Sequence, residues 1–307
     1  MTAGKLNIVM DISQYDTFRM CERKYYYRYV RNIHPLIPAK PLDRGTLVHL
    51  ACETYYELIK INVPYVDAVQ KALSAVRLAG IDTDLDVDEI LRVIDVMEEY
   101  FDHWRVVDQR FQINDVEKSI LYLLHEADAW KFYLSGKIDL IITDNQYTNL
   151  PLDHKSYDRQ YNTTRMSNQF KNYVNALNSN FLVVNKIGFQ KTVPAHEKFI
   201  RVPLSFDPVY LEQWKQNVIK VIDHYVECLA DDYWPLNETS CDKFNRKCEY
   251  FEVCDSSGRE AAEFKLVQFF KKGEPWDVTK GLKKTSEQVE DRKKGDEVVG
   301  ADSPTGS

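Results

Sequence analysis

Apolar and polar positions follow two different periods along the chain, and the change of period separates a helical part from a sheet. In the first third, apolar side chains recur every three to four positions, which is the spacing of one helix face. The spacing predicts helices over 44–60, 68–79 and 86–108, and an earlier helix, capped by Asp11 or Ser13, that carries Tyr15, Phe18, Cys21 and Tyr25. The segment 34–38, which contains Pro35 and Pro38, is predicted to be a loop.

From residue 115 onward, short apolar runs bounded by turn residues replace the helical spacing. These runs predict strands over 115–124, 129–134, 136–143, 150–154, 181–189 and 199–204, with a turn at 144–146. Helices are predicted over 166–177 and 208–228. The order predicts one α/β domain over 1–278, and the polar, aromatic-free stretch 279–307 is predicted to be disordered.

Composition places the chain among soluble globular proteins but says little about its partners. Hydrophobic residues make up 44% and charged residues 28% of the 307 positions. No apolar stretch is long enough for a membrane helix, and the N-terminus lacks a signal-peptide pattern. We therefore expect a cytoplasmic protein, located in the host cytoplasm if the gene comes from a phage. The formal charge of −7 gives no support to nucleic-acid binding, which depends on local clusters of Lys and Arg.

One such cluster lies near the N-terminus. Basic residues are interleaved there with Tyr25, Tyr26, Tyr27 and Tyr29: they are Arg19, Arg23, Lys24, Arg28 and Arg31. Because aromatic rings beside cations can stack on nucleobases, the segment is a candidate DNA-binding surface. A half-buried helix with a solvated cationic face explains the same pattern, and the sequence leaves both interpretations open.

Two neighbouring predicted strands carry acidic residues that a hairpin would bring together. The first contains Gly136 and Asp139, and the second contains Asp153 and Lys155. Residues two apart on a strand share a face, so Asp153 and Lys155 lie together. Two carboxylates and an amine suit metal-assisted hydrolysis, whereas a surface salt bridge between strands is the alternative. Glu117, on the preceding strand, is a candidate for a further acidic contributor, and a surface charge is the preferred interpretation.

Three further polar residues favour a metal site over a surface salt bridge. His49 lies inside an otherwise apolar predicted helix, either as a metal ligand or as a hydrogen-bonded core histidine. Gln169 and Tyr173 are four residues apart on a predicted helix and therefore share a face. In the order GTxxH, GxxD, DxK and QxxxY, the motifs resemble the RecB-like branch of the PD-(D/E)XK nucleases. Over about residues 13–254 the chain is most similar to the iron–sulfur members: the AddB nuclease domain, the CRISPR-associated RecB-like exonucleases, and their phage and eukaryotic relatives.

The resemblance implies a restriction-endonuclease-like core, with a mixed central sheet flanked by helices. It implies a helical N-terminal insertion at about 11–110, a catalytic core at about 111–230 and a C-terminal iron–sulfur segment at about 238–256. It further implies that Mg²⁺ or Mn²⁺ is bound by His49, Asp139, Asp153 and the backbone carbonyl of His154, that Lys155 is the catalytic amine, and that Gln169 and Tyr173 position DNA. Members of the family commonly have Glu where this chain has Asp153.

The cysteines are unevenly distributed. Cys241, Cys248 and Cys254 lie close together and Cys21 lies near the N-terminus, whereas Cys52 and Cys228 are isolated. Four thiolates suit a [4Fe–4S] cluster or a zinc ion, although the closely spaced cysteine pairs typical of zinc sites are absent. The segments around Cys21 and over 241–254 resemble the cluster-binding segments of the iron–sulfur nucleases, which implies a [4Fe–4S] cluster on these four cysteines. Cys52 and Cys228 are expected to be ordinary buried thiols.

Together these features predict a metal-dependent DNA exonuclease that acts on single-stranded or frayed DNA ends, in recombination, repair, phage DNA processing or CRISPR adaptation. DNA is the expected partner, a helicase or an integrase is a candidate protein partner, and no membrane is expected. A non-catalytic DNA-binding or scaffolding subunit of a repair or spacer-acquisition complex is the alternative, and a zinc-bound binding protein is a third. The intact set of histidine, acidic and lysine positions favours the nuclease.

Overall fold

A mixed sheet with helices on both faces forms most of the protein, whose computed structural model describes residues 5–37, 43–158, 164–243, 246–275 and 277. The strands are β1 (Leu6–Asp11), β2 (Ile33–Pro35), β3 (Gln112–Glu126), β4 (Trp130–Thr143), β5 (Leu150–Tyr157), β6 (Phe181–Gly188), β7 (Phe199–Ser205), β8 (Asp242–Lys243), β9 (Arg246–Lys247) and β10 (Phe270–Lys272). The helices are α1 (Ile12–Met20), α2 (Glu22–Tyr25), α3 (Asp43–Lys60), α4 (Tyr65–Gly80), α5 (Val87–Asp108), α6 (Asn168–Ala176), α7 (Ala195–Lys198), α8 (Pro208–Asp231), α9 (Phe251–Cys254) and α10 (Arg259–Phe269). A π-helical turn, Tyr26–Val30, follows α2, and a 3₁₀ turn, Glu238–Ser240, precedes β8.

The predicted α/β class, with a mixed sheet between helices, is confirmed, but several elements differ from the prediction. The predicted first helix stops before Cys21, which has extended backbone angles, and restarts at Glu22. The predicted loop at 34–38 overlaps the end of β2, which pairs with β10. Strand β1 was not predicted, and the predicted strands 129–134 and 136–143 are one continuous strand, β4. Pro38 and the predicted disordered tail at 279–307 lie outside the described residues.

Strand β4 is the centre of the sheet, and one of its edges is interrupted. One edge pairs antiparallel with β3 from Lys131 to Thr143. Along the other edge β1 pairs in parallel as far as Ser135, and β5 pairs antiparallel from Leu140. Residues 136–139 therefore have no strand partner on that edge among the described residues. Beyond β5 the sheet continues with β6, in parallel, and β7, antiparallel.

Helices cover the two faces of this sheet because each presents an apolar stripe to it. On one face, α3, α4 and α5 pack together and onto β4 and β5, with Val48, Tyr100 and Leu140 among their buried side chains. On the other face, α6 and the start of α8 bury Val174 and Leu211 against the sheet. Each large apolar side chain that is fully buried contributes about 1.5–3 kcal/mol to folding. Within the described residues, no helix is both long and apolar enough to span a membrane.

Asp11 caps α1 as predicted: its carboxylate accepts a hydrogen bond from the Gln14 backbone N–H at 2.8 Å.

Residues 21–35 pack against residues 234–243 and 246–272, and we call this region the terminal junction. The Tyr250 hydroxyl donates to the Ile33 carbonyl at 2.5 Å. Tyr27 packs on Tyr250 with 5.3 Å between ring centroids. The two segments are therefore joined by a hydrogen bond and ring packing as well as by the pairing of β2 with β10.

Candidate active site

The predicted acidic residues lie where β4 and β5 separate. The antiparallel pairing of these strands ends at the pair formed by Leu140 and Leu152. Asp139 lies next to Leu140 on β4, and Asp153 lies next to Leu152 on β5. In place of further strand pairing, the backbone N–H of His154 donates to Asp139 Oδ2 at 2.7 Å. The hairpin predicted from the sequence therefore exists, and its open end brings the two carboxylates to the same place.

Asp153 is the least satisfied charged group of this region. Its side chain is 0% exposed, and its Oδ1 has no hydrogen-bond partner among the described residues. Lys155 forms an ion pair with it, with 2.8 Å between Nζ and Oδ2. Burial, reinforced by the charge of Asp139, raises the pKa of Asp153 to about 6 even though Lys155 opposes the shift. A buried carboxylate this poorly partnered costs free energy unless a cation or a proton joins it.

His49, Glu117 and Asp139 form a compact group beside Asp153. One ligand atom from each of the three lies within 4.8 Å of the others, and no other such group of His, Cys, Asp or Glu occurs in the described part of the chain. His49 reaches the group from α3, with its Nδ1 3.5 Å from Asp139 Oδ2. Burial alone raises the pKa of Asp139, but its hydrogen bond to His49 and the charge of His49 hold that pKa below its usual range.

Glu117 was expected to be a surface charge, and this expectation is wrong. Its side chain is buried, and it forms an ion pair with Lys137. Glu117 has φ of 50°, a left-handed conformation within β3 that costs a non-glycine residue on the order of 1–3 kcal/mol. Burial also raises its pKa, against the opposing effect of Lys137. A single left-handed residue inside an otherwise regular strand leaves no signal in the spacing of apolar positions, so the sequence did not reveal it.

Lys155 is held by a chain of hydrogen bonds from α6. Its Nζ donates to Gln169 Oε1 at 3.2 Å, and Gln169 Nε2 donates to the Tyr173 hydroxyl at 2.7 Å. The Tyr173 hydroxyl in turn donates to the backbone carbonyl of Lys137 on β4. Burial raises the pKa of Tyr173 well above its ordinary value, so this hydroxyl stays protonated and acts as a donor. The spacing of Gln169 and Tyr173 thus produces the shared helix face expected from the sequence.

His154 points its side chain into the core behind the carboxylates. Its ring stacks on that of Tyr56, with 5.7 Å between centroids, and its Nδ1 lies 2.7 Å from Asn185 Nδ2. Burial lowers the pKa of His154 to about 3, so the imidazole is neutral. The side chain is therefore a packing element, and the backbone is the part of His154 that faces the site.

A buried polar network, which the sequence did not reveal, supports this side of the site. Asn185 Nδ2 donates to the Tyr100 hydroxyl at 2.5 Å, and the hydroxyls of Tyr100 and Tyr56 lie 3.0 Å apart. Tyr56 donates to Asp108 at 2.8 Å, and Asp108 accepts a 2.6 Å bond from Arg201. Its members come from α3, α5, β6 and β7, so only tertiary packing brings them together.

The four cysteines implied as cluster ligands lie in the terminal junction. The backbone N–H of Cys248 donates to the Cys241 carbonyl at 2.8 Å. Burial raises the pKa of Cys254 to about 11, and the charges of Cys248, Cys21 and Cys241 add to that shift. The four thiols are therefore near enough to interact electrostatically. Cys52 and Cys228 are buried, as expected: Cys52 lies in the apolar core beneath α3, and Cys228 lies in the cluster that also contains Tyr25 and Trp234.

Most of the basic residues predicted to contact DNA are engaged within the terminal junction. Arg23 donates from Nε to the Trp234 carbonyl at 2.7 Å. Lys24 and Arg28 both pair with Glu249, at 3.6 Å and 3.1 Å. Arg19 is exposed and lies over the ring of Tyr15. The four predicted residues thus differ, since one projects from α1 and three hold the chain ends together.

Clustered buried carboxylates with an adjacent lysine at the mouth of a splayed hairpin define the class of a metal-dependent nuclease. A family model described as the PD-(D/E)XK nuclease superfamily matches residues 11–255. The chain belongs to the PD-(D/E)XK nuclease superfamily. Nucleases of this superfamily are hydrolases that use divalent metals, and membership implies metal-dependent nuclease activity.

Comparisons with individual proteins add little detail. No curated protein matches the chain. Among matching solved structures is the crystal structure of SSO0001, which is 11% identical in sequence with a TM-score of 0.27. The match covers 57% of this chain and 74% of that one.

Proposed function

We propose that the protein is a metal-dependent DNA exonuclease of the RecB-like, iron–sulfur type that acts on single-stranded or frayed DNA ends. One observation carries the proposal. The carboxylate of Asp153 is fully buried, its Oδ1 has no hydrogen-bond partner among the described residues, and Lys155 pairs with its Oδ2 at the open end of the β4–β5 hairpin. A carboxylate placed in this way suits a site that receives a cation and a phosphodiester.

The residues present fit a hard divalent cation. Carboxylate oxygens from Asp139, Asp153 and Glu117, an imidazole nitrogen of His49 and the backbone carbonyl of His154 are the donors that we propose. Mg²⁺ and Mn²⁺ prefer such oxygen-rich sets, and the three carboxylates exceed the two lysines paired with them, Lys137 and Lys155. A cation bound here would activate water and offset charge on the phosphate. We add Glu117 to the set because one of its carboxylate oxygens lies within 4.8 Å of ligand atoms of His49 and Asp139. The resemblance does not imply Glu117 as a ligand.

The amine and the helix α6 supply orientation and charge. Lys155 presents an ammonium between Asp153 and the space that the phosphate would enter, where it offsets developing negative charge. Gln169 accepts from this ammonium and so fixes its direction. Tyr173 anchors Gln169 to β4 through the Lys137 carbonyl. A DNA strand crossing this face would therefore meet a preorganised group rather than a mobile lysine.

The terminal junction is the proposed position of a [4Fe–4S] cluster held by Cys21, Cys241, Cys248 and Cys254. Support comes from the mutual electrostatic effect of these thiols and from their location between the chain ends. Arg19, Arg23, Lys24 and Arg28 would give the neighbouring surface a positive potential for DNA. Recombination, repair, phage DNA processing and CRISPR adaptation are the proposed settings, with a helicase or an integrase as partner.

Digestion of end-labelled DNA tests the function directly. The wild-type protein should shorten linear single-stranded DNA in Mg²⁺ or Mn²⁺, be inactive in EDTA, and leave circular single strands intact. Asp139→Ala and Asp153→Ala should abolish cleavage and retain DNA binding, because phosphate contacts come from Lys and Arg. Asp115→Ala is the matched control, since Asp115 lies on β3 in surface ion pairs with Lys60 and Lys118.

Each result has a distinct meaning. Cleavage at the parental rate by either site variant would show that the site assignment is wrong. Cleavage of circular DNA would show that the protein is an endonuclease rather than an exonuclease. DNA binding without any metal-dependent cleavage would favour the scaffolding subunit.

A further inference from the structure

A cavity of about 680 Å³ opens directly beside the candidate active site. It lies where β1 ends and residues 136–139 of β4 lack a strand partner on that edge among the described residues. The first turns of α1 and α6 form its other walls. Gln169 and Tyr173, the residues that hold Lys155, also line the cavity. A ligand in the cavity would therefore touch the same side chains that position the proposed catalytic amine.

The charges around the cavity disfavour a phosphate group. Asp11, Asp16 and Asp277 all line it. Among the described residues of its lining, Lys137 is the only basic one, and it already pairs with Glu117. Because proteins hold DNA phosphates chiefly with Lys and Arg, an acidic wall of this kind repels the backbone of a nucleic acid.

The uncharged part of the lining suits a flat heterocycle. Neutral hydrogen-bonding side chains come from four elements: Ser13, Ser119, Ser135, Ser167, Asn168 and Gln169. Within the described residues, the hydroxyl groups of Ser13 and Ser167 make no hydrogen bond and are available to a ligand. Ile12, Ile120 and Met166 add apolar surface. Nucleobases are recognised by this combination, in which polar groups meet the edge and apolar groups meet the face.

We propose that this cavity is a nucleobase subsite, which receives one unstacked base of the strand whose phosphate lies at Asp139 and Asp153. The inference rests on the proposed nuclease function and extends it to the base next to the attacked phosphate. A base that is paired in a duplex has its edge occupied and cannot present it to Ser13 or Ser167. The subsite therefore selects single strands and frayed ends, and it makes affinity depend on a base at one fixed position.

Abasic scanning tests the subsite. A set of single-stranded oligonucleotides carries one abasic residue at successive positions from the end, and binding is measured by fluorescence anisotropy with Ca²⁺ in place of Mg²⁺. One position should weaken binding about tenfold, because one or two hydrogen bonds and the ring contact are lost. Ser119→Leu and Ser13→Leu, which narrow the cavity from opposite walls, should weaken binding of the intact strand and remove the dependence on position. Ser205→Leu, at an exposed end of β7, is the control and should bind like the parent.

The outcomes separate this inference from the function on which it rests. Equal affinity for every abasic position would overturn the subsite, and so would a position dependence that both cavity variants retain. Position-dependent binding in Ca²⁺ without cleavage in Mg²⁺ would support the subsite and refute the nuclease. Because Ser13 lies on the exposed first turn of α1, its variant keeps the test valid if Ser119→Leu fails to fold.

Discussion

Charged residues cluster both at the open end of the β4–β5 hairpin and in the terminal junction. The two regions differ in how completely these charges are paired. At the hairpin, Asp153 is fully buried with Lys155 as its single ion-pair partner, and its Oδ1 has no hydrogen-bond partner among the described residues. At the junction, Arg28 and Arg31 are paired with Glu249 and Glu263 from the far end of the chain. A buried carboxylate oxygen without a hydrogen bond indicates a missing ligand, whereas ion pairs between partly exposed side chains indicate a structural role.

The difference is also one of energy. Partly exposed ion pairs such as those of the junction contribute only about 0–1 kcal/mol each. Buried apolar side chains, among them Tyr27, Tyr250 and Leu266, therefore stabilise the junction more than its ion pairs do, and the proposed [4Fe–4S] cluster would add a cross-link. At the hairpin the opposite holds, because the buried carboxylates weaken the metal-free fold and would gain most from a cation.

Removing one cluster ligand should have the largest effect on stability. Cys21 and Cys241 are about 220 residues apart, and a cross-link over that span, treated like a disulfide, removes about 5 kcal/mol of unfolded-state entropy. Cys21→Ala should therefore lose the iron and its visible absorption, melt at a markedly lower temperature and cleave DNA poorly. Cys52→Ala, at a buried thiol in the core beneath α3 and outside the junction, is the control and should keep its colour.

The fold restricts how this loss would act. Tyr15 and Phe18 are buried and β1 is part of the main sheet, so α1 should stay in place in the variant. The damage should be confined to the junction itself and appear as faster proteolysis around Cys254. Full iron content and an unchanged melt of Cys21→Ala would reject the cluster, while zinc in place of iron would change only the cofactor.

Loss of the amine should have the next largest effect, on rate rather than on stability. Lys155→Ala removes one positioned charge from a phosphoryl-transfer site, which typically costs a factor of about 10²–10³ in rate. Mn²⁺ affinity should change little, because an ammonium is not a ligand. Lys155→Arg should rescue poorly, since a guanidinium cannot replace the ammonium donor at Gln169 in the same geometry. Single-turnover rates at saturating Mn²⁺ provide the measurement, with the surface variant Lys118→Ala as control; a parental rate for Lys155→Ala would rule out its role.

Asp153→Asn should move activity and stability in opposite directions. Its folded-state pKa of about 6 lies above the ordinary value of 3.8. The stabilisation associated with the neutral carboxyl is therefore lost as the pH rises through about 6, and at neutral pH the charged form costs on the order of 3 kcal/mol. The variant should lose cleavage, yet in EDTA it should melt at a higher temperature than the parent above pH 6, with the gap closing toward pH 4.

The control for this comparison is Asp115→Asn, which should show no such divergence, because Asp115 is half exposed and paired at the surface. Melting curves in EDTA from pH 4 to pH 8 would decide the question. A lower melting temperature for Asp153→Asn across that whole range would mean that the carboxylate is well compensated, and the contrast between the two regions would then fail.

Local spacing predicted the hairpin and the approach of its two carboxylates, because strand alternation and a short turn are enough to align Asp139 with Asp153. Gln169 and Tyr173 were predictable for the same reason, since helical spacing sets their shared face. The left-handed Glu117 and the partnership of Asp108 with Arg201 were not, because one depends on a backbone angle and the other on the packing of distant elements.

The chain ends show the same limit. Strand β1 pairs in parallel with β4, and no hairpin or turn in the intervening sequence marks that pairing. The basic residues near the N-terminus left a solvated face and a DNA surface equally open, since nothing in their local pattern indicates Glu249 as a partner. The spacing of charges therefore predicted that basic residues gather near the N-terminus, but it did not predict that Glu249 pairs with two of them.

The smallest expected effect concerns the ion pairs of Glu249. Glu249→Gln breaks the pairs with Lys24 and Arg28 and should lower the stability of the fold by about 1 kcal/mol at most. It should also free two cations for phosphate, so the dependence of single-strand affinity on salt should steepen by about 0.7 in logarithmic slope for each new contact. Glu252→Gln is the matched control, because Glu252 pairs with Lys247 and Lys265 on the same segment. Salt titrations of binding by anisotropy measure the slope. An unchanged slope would remove Lys24 and Arg28 from the DNA surface, and a loss of stability as large as that of Cys21→Ala would mean that ion pairs rather than a cluster hold the junction together.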